Sequence, residues 1–354
     1  MRFSFDSDQL ALRDALRDML AKECPPQIVR DCWDSDSGIN RKLWKTLAES
    51  GMFGLLVPES LGGMGMSEIE MVLIMEEIGK YAVPGPVLEH CVAAIPLMAE
   101  FSSNEVSSQW PAPLKGGRPR SQADWLAAAL EGDSIATFAE SGDLAISWGS
   151  QADLILIADG SCLKVLGQES VSSEIPLEMV DRSHKRSELK WNGGIDSHIG
   201  PGLYEKARNR AALAASAQLL GLADRMIGMT VEYVTERKQF GSPVGANQAI
   251  KHHLANALLA LEFARPPVYR AAYSMAHNEE EVNRDVSFAK IYASKAGNLA
   301  ARVALQCHGA IGYSYEHDLH LWMKRVWVLR ALWGDDAFHY AQVADCVLNS
   351  IQTD

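Results

Sequence analysis

The sequence predicts a mainly α protein with a small β domain, ordered as an N-terminal helical domain, a middle β domain and a C-terminal four-helix bundle. Three observations predict it. Apolar residues recur at three- and four-residue spacing through the first hundred positions, short β-rich runs separated by turn residues occupy Asp133 to Lys190, and four long helical patterns follow Pro201. The domains are expected at 1–118, 119–198 and 199–354. A chain of 354 residues, 47% hydrophobic and 22% charged, can bury a large core.

In the first part, Leu10, Leu12, Leu16, Met19 and Leu20 give Asp6 to Ala21 an apolar helix face, with Asp6 and Ser7 as N-terminal caps. A second helix is expected over Arg41 to Ser50, followed by the glycine-rich connector VPESLGGMGMS. A third runs from Ser67 to Lys80, led by the capping-box spacing of Ser67 and Glu70. Another helical region surrounds Pro86 to Ala99. From Phe101 to Pro119 the chain turns polar and rich in Ser, Pro and Gly, the composition of an exposed linker at a domain boundary.

After a short helix at Gln122 to Leu130, the segments SIATFAE, ADLILIADG, CLKVLG and SEIPLEMVD read as four or five strands. A sheet region this small must lean on neighbouring helices. The bundle helices are expected at Tyr204 to Glu236, Asn247 to His277, Glu281 to Cys307 and Asp318 to Ser350. Pro266 and Pro267 fall inside the second of these, where each removes a donor and crowds the preceding turn, so a kink or break is expected there. Met226, Met229, Trp322 and Trp327 stand at core spacing.

Charge excludes one class of partner. The formal net charge is −12 and no basic face is apparent, which argues against nucleic acid. No apolar stretch approaches the length of a bilayer span and the N-terminus lacks the pattern of a signal peptide, so a cytoplasmic location is expected. The cysteines at 24, 32, 91, 162, 307 and 346 are scattered and suit reduced thiols. Cys307-His308 and His317-x-x-His320 lack a third ligand at coordinating spacing, so no metal is expected.

Three segments carry a family resemblance. TERKQFGSPVGANQAIKHHLA, QCHGAIGYSYEHDLHLWMKR and the early VPESLGGMGMS, in that α, β, α context, resemble hallmarks of the acyl-CoA dehydrogenases over nearly the whole chain. The resemblance implies FAD bound between subunits. Arg237 would supply a fixed cation for the pyrophosphate, Phe240 and Gln248 would lie along the same cofactor arm, and Gln306, His308, Gly309 and Ala310 would meet the nucleotide end of an FAD held mainly by a neighbour. Read alone, Arg237 and Gly241 are also an ordinary helix ending.

The resemblance also exposes two losses. Family members take the Cα proton of an acyl thioester with a glutamate while hydride leaves Cβ for the flavin. Aligning MKRVWVLRALWGDD puts Trp333 at one usual position of that glutamate, and the alternative position on the helix before Arg237 holds Ala211. An indole has no basic lone pair at neutral pH. Asp335 is the nearby carboxylate, although an aspartate after glycine also reads as a helix cap. In the β domain the chain passes from Phe138-Ala139-Glu140 to Trp148 with the family's intervening strands mostly deleted, which shortens the flavin-facing wall.

The shortened wall and absent base, beside an intact cofactor arm, resemble the non-catalytic subunit of heteromeric α2β2 steroid side-chain acyl-CoA dehydrogenases. That resemblance implies a homologous catalytic partner subunit, a bulky acyl-CoA substrate and electron-transferring flavoprotein as acceptor. Two other readings stay open at this point: a homomeric acyl-CoA dehydrogenase using Asp335, and a scaffold that has kept the fold without the chemistry.

Overall fold

A computed structural model describes residues 4–101, 110–111, 121–200 and 202–351. By its internal contacts the chain forms two compact units interleaved in sequence: Met1–Val29, Glu68–Val83 and Ala212–Asp354 make one, and Arg30–Ser67 with Pro84–Ala211 make the other.

The first unit is helical. Its α1 (Ser7–Glu23) starts in a reciprocal box, Asp6 accepting from the N–H groups of Asp8 and Gln9 while the Gln9 side chain accepts from the Asp6 N–H, so the expected cap at Asp6 is borne out. α4 (Glu68–Lys80) packs against α7 (Leu203–Glu236) at two glycines. A Cβ on Gly221 would lie 1.8 Å from the Glu76 carbonyl oxygen, and one on Gly79 would lie 2.1 Å from that of Gln218. The helices cross at backbone distance because both positions lack side chains. Trp322 Nε1 donates to Lys80 O at 2.9 Å and Arg325 Nη1 to Val83 O at 3.0 Å, so the end of α4 is held by the helix that bears those residues, α10 (Leu319–Ala331).

The remaining helices of this unit are α8 (Gln248–Ala276), α9 (Val282–His308) and α11 (Asp336–Ile351). Two expectations are corrected here. α8 runs through Pro266 and Pro267 without a break. The carbonyls that lose their donors belong to Glu262 and Phe263, both exposed, and water can serve them. The segment expected as one helix over Asp318 to Ser350 is two, α10 and α11, separated by Leu332–Asp335. Of the residues at core spacing, Trp322 is buried but Trp327 is 42% exposed.

The second unit combines α2 (Pro26–Asp34), α3 (Arg41–Glu49), a π-helical run at Leu88–Ala94, α5 (Ile95–Phe101), α6 (Gln122–Leu130) and the sheets. Strands β1 (Ala136–Glu140), β3 (Leu154–Asp159), β4 (Cys162–Gly167) and β7 (Ile195–His198) form one sheet, in which β1 and β3 are parallel with Ala136 opposite Leu154 and the other pairs are antiparallel. Strands β2 (Ile146–Ser147), β6 (Arg186–Trp191) and β5 (Val171–Leu177) form a second, antiparallel sheet. Seven strands replace the four or five expected. β2 is two residues long, and β6, RSELKW, is mostly solvated and lacks the apolar alternation that marks a half-buried strand. The linker expected over Phe101 to Pro119 lies largely outside the described residues, but Trp110 is 2% exposed and Pro111 O accepts from Trp125 Nε1 at 3.0 Å, so those two residues are packed rather than solvated.

The sheet does lean on helices, through His90. Its ring is fully buried in the π-helical run, Nδ1 accepts from the Ala136 N–H at 3.0 Å, and Nε2 donates to Ala129 O at 3.1 Å, which joins the end of α6 to the start of β1. Burial pushes the imidazole down to about 4. The folded value is below the unfolded one, so the stability it confers is complete above pH 6.5 and is lost as pH falls from there toward 4. The loss should amount to roughly 3 kcal/mol for a shift of this size. Thermal melts between pH 7.5 and 4.5 are expected to show a shallower acid slope in His90→Gln than in the wild type; identical slopes would remove His90 from the acid response.

Candidate functional site

The last turn of α7 leads into a two-stranded hairpin, β8 (Lys238–Gln239) and β9 (Ser242–Pro243), which leads into α8. The hairpin turns at Phe240 and Gly241 with φ of +50° and +84°, the left-handed pair that tight hairpins favour. Phe240 thereby stands wholly in solvent at the tip. Arg237 is exposed at the base, and its backbone is pinned on both sides: its N–H donates to Tyr233 O at 2.8 Å, and its carbonyl accepts from the Val244 N–H at 2.8 Å. Gln248 is exposed at the first position of α8. The preceding Asn247 sends its side-chain amide to Val244 O at 2.9 Å and makes no cap, so the first N–H groups of a 29-residue helix face outward without a side-chain acceptor. One connection thus presents a cation, an aromatic ring, an amide and a helix N-terminus.

The second segment ends α9. Gln306, Gly309 and Ala310 are exposed, and Gly309 adopts φ +64° and ψ −138°, a conformation open essentially to glycine alone, with nothing within 4 Å of where its Cβ would be. His308 is turned the other way. It is 4% exposed, its Nδ1–H donates to Ala304 O at 2.8 Å, and its ring stacks on Tyr233 with centroids 4.5 Å apart and planes 18° apart. His317 meets the His308 ring edge-on at 4.7 Å. Burial, with His317 adding to it, lowers the His308 pKa, so the ring is neutral at pH 7.

That stack brings the two segments together. Tyr233 bonds the Arg237 N–H through its carbonyl and holds His308 through its ring, so the hairpin and the end of α9 share one anchor. Sequence reasoning missed Tyr233, whose one signal is its place a helical turn before Arg237. Arg237, Phe240, Gln248, Gln306, Gly309 and Ala310 form the exposed set, and His308 supports them from inside. These groups fit a dinucleotide such as FAD: an exposed guanidinium on a pinned backbone and open helix N–H groups suit a pyrophosphate, and a glycine without hindrance admits close approach of its backbone. Among the described residues no group of three metal-ligating side chains converges.

Neither position to which the resemblance assigns the base, 333 or 211, carries a carboxylate. Trp333, φ +58°, occupies the turn between α10 and α11, and its carbonyl accepts from His339 Nε2 at 3.0 Å. Ala211 is fully buried in α7, beside Arg210, whose guanidinium pairs with Glu100 at 2.8 Å. Asp335 is exposed, and its Oδ1 accepts from the Phe338 N–H at 2.9 Å, which makes it the N-cap of α11. Its side chain is thereby engaged in capping the helix. Lys290, a lone lysine on the buried face of α9, was also missed by sequence reasoning. It is 1% exposed and donates to Leu332 O at 2.7 Å and Gly334 O at 2.8 Å. In the β unit only residues 141–145 connect β1 to β2, and Trp148, φ +59°, is buried with its ring 5.4 Å from that of His184.

Comparison with known proteins places this geometry. The model of the acyl-CoA dehydrogenase N-terminal domain matches residues 6–118 and that of the C-terminal domain residues 202–348. Acyl-CoA dehydrogenase IpdE2 of Mycobacterium tuberculosis is 29% identical over 315 residues, 89% of this chain and 89% of that protein. A chain of the ChsE4-ChsE5 complex from Mycobacterium tuberculosis superposes with a TM-score of 0.84 at 23% identity, covering 98% of this chain and 99% of that one. A variant of the Tcur3481-Tcur3483 steroid ACAD gives 0.84 at 20% identity, over 98% and 99%. The two domain models together match most of the chain, and the chain belongs to the acyl-CoA dehydrogenase family.

Proposed function

We propose that this chain is the non-catalytic subunit of a heteromeric FAD-dependent acyl-CoA dehydrogenase, completing the nucleotide end of an FAD whose flavin ring and base belong to a homologous catalytic partner. The observation that carries the reading is an asymmetry within one chain. The exposed set of Arg237, Phe240, Gln248, Gln306, Gly309 and Ala310 is intact, whereas position 333 carries an indole, position 211 a methyl group, and Asp335 is spent on capping a helix. Loss of the chemistry beside retention of the arm is what a shared site requires of its second contributor. The three-part organisation with boundaries near 118 and 198 belongs to the same reading.

Bound FAD supplies the hydride acceptor for α,β-dehydrogenation of an acyl-CoA thioester. On this side of the interface Arg237 neutralises pyrophosphate charge, Phe240 and Gln248 line the arm, and the Tyr233–His308 stack keeps hairpin and helix end in register. The substrate class is a bulky acyl-CoA such as a steroid side-chain thioester, with electron-transferring flavoprotein as acceptor. It is supported by the similarity to chains of the ChsE4-ChsE5 complex and of a steroid ACAD.

The deciding experiment compares this chain purified alone with the same chain co-expressed with each full-length acyl-CoA dehydrogenase of its own genome, by flavin absorbance and oligomeric mass. FAD should appear only in the heteromeric complex, at about one per pair of unlike chains, as a site built at an interface demands. A lone chain that binds flavin and reduces it with an acyl-CoA would sink the reading in favour of a homomeric enzyme. Within the complex, Asp335→Asn should change turnover by less than about twofold, because a capping residue is not the proton acceptor. A collapse of turnover in a folded Asp335→Asn complex would return the base to this chain.

A further inference from the structure

The turn between α10 and α11 is gripped by its backbone. Lys290 Nζ, buried on α9, donates to the carbonyls of Leu332 (2.7 Å), Gly334 (2.8 Å) and Arg330 (3.4 Å). His339, 3% exposed on α11, donates from Nε2 to Trp333 O at 3.0 Å and accepts at Nδ1 from the Ser287 hydroxyl at 3.1 Å. Ser287 lies one helical turn before Lys290 on α9, so both ends of the grip rest on the same helix. Four carbonyls of residues 330–334 are thereby taken by side chains from outside the turn.

Between them the backbone is held at φ +58° for Trp333 and +90° for Gly334. A bulky side chain in the left-handed region costs about 1 kcal/mol or more, and persists only where its surroundings over-determine it. Lys290 makes that determination without reference to any side chain of the turn, because all three of its N–H groups go to main-chain oxygens. Asp335 and Asp336 attract its ammonium and Arg330 repels it, while burial pushes it down to about 7.

We infer that Lys290 and His339 are positioning residues that fix the backbone at position 333 in one left-handed frame, whichever side chain that position carries. The inference rests on the reading of 333 as the place of the family's base. On that reading the chain carries an indole on a backbone frame that α9 and α11 still hold in place.

Hydrogen exchange on the full chain in its complex tests this. Lys290→Met should speed exchange across 329–340 by at least about tenfold, with α8 peptides unchanged, since local openings are set by local bonds. Acrylamide quenching of Trp333, taken as the difference from Trp333→Phe, should rise in parallel. In the wild type, exchange of the same segment, corrected for its intrinsic rate, should step up between about pH 6 and 8, because a neutral amine has two N–H groups for three carbonyls; Lys290→Met should lack the step. A lysine that merely fills space gives no such profile, and unchanged exchange in Lys290→Met without a wild-type step overturns the inference. If Lys290→Met does not fold, the wild-type step and a smaller local acceleration in His339→Leu decide, and absence of both overturns it. FAD content measured on the same wild-type complex reports separately on the shared-site reading: a flavin-free complex would sink that reading while the exchange data still judged the grip.

Discussion

Gly221→Ala should severely destabilise the helical unit. The added methyl would lie 1.8 Å from the Glu76 carbonyl oxygen and 2.6 Å from the Lys80 nitrogen, both backbone atoms that cannot swing aside, so α4 and α7 must part. Parting them strains the bonds that converge there: Lys80 to Asp224 at 2.6 Å, Tyr269 to Glu76 at 3.1 Å, the Arg265–Glu76 ion pair, and Trp322 to the Lys80 carbonyl. Overpacking a core typically costs 1–3 kcal/mol or more, and each strained bond adds about 1 kcal/mol. The helix propensity gained by alanine returns only about 1 kcal/mol. A net loss of roughly 4–6 kcal/mol is a large part of the 5–15 kcal/mol that holds a typical protein folded. The expected result is insoluble expression or a melting temperature lower by about 10 °C.

Gly228 supplies the control. It sits seven residues further along the same helix with nothing within 4 Å of its Cβ position, so Gly228→Ala should leave stability unchanged or raise it by about 0.5–1 kcal/mol. Equal melting temperatures for Gly221→Ala and wild type would mean that the helices do not cross at backbone distance.

The range of the forces involved decides which parts of this molecule could be read from its sequence. The helix Gln122–Leu130 was legible to the residue because its signals are local: Ser121 caps it and Asp124 closes the box. The segments around Arg237 and Gln306 could be singled out because their Arg, Gln and Gly residues stand at helix ends, which the structure leaves exposed. The break between α10 and α11 was not, because apolar spacing continues through Leu332 and the groups that enforce the turn come from Lys290, more than forty residues upstream, and from the far side at His339. Nor could the sequence say that His308 would turn inward. Its partner Tyr233 lies on another helix, and stacking between distant aromatics leaves no periodic trace. Pro266 and Pro267 misled for a related reason, since the penalty for a missing donor depends on whether water can reach the carbonyl left behind.

Arg237→Ala in the co-expressed complex should strip most of the FAD while leaving the assembly intact. The guanidinium is exposed and the backbone beneath it is held by Tyr233 and Val244, so truncation removes a charge without unmaking the hairpin. Surface substitutions of this kind move stability by no more than about 0.5 kcal/mol. Losing a hydrogen bond to a charged phosphate oxygen costs roughly 1.5–3 kcal/mol, which weakens FAD binding about ten- to a hundredfold. The complex should therefore elute at its normal mass with flavin well below stoichiometry, and added FAD should restore activity at high concentration. Arg237→Lys should fall between the two, since an ammonium keeps the charge but not the planar fork that grips two phosphate oxygens at once. That order, arginine above lysine above alanine, is the signature of a pyrophosphate contact. A helix-ending arginine with no ligand would give equal flavin content in all three, and a complex of Arg237→Ala that retains full FAD after extensive dilution would remove the chain from the cofactor site.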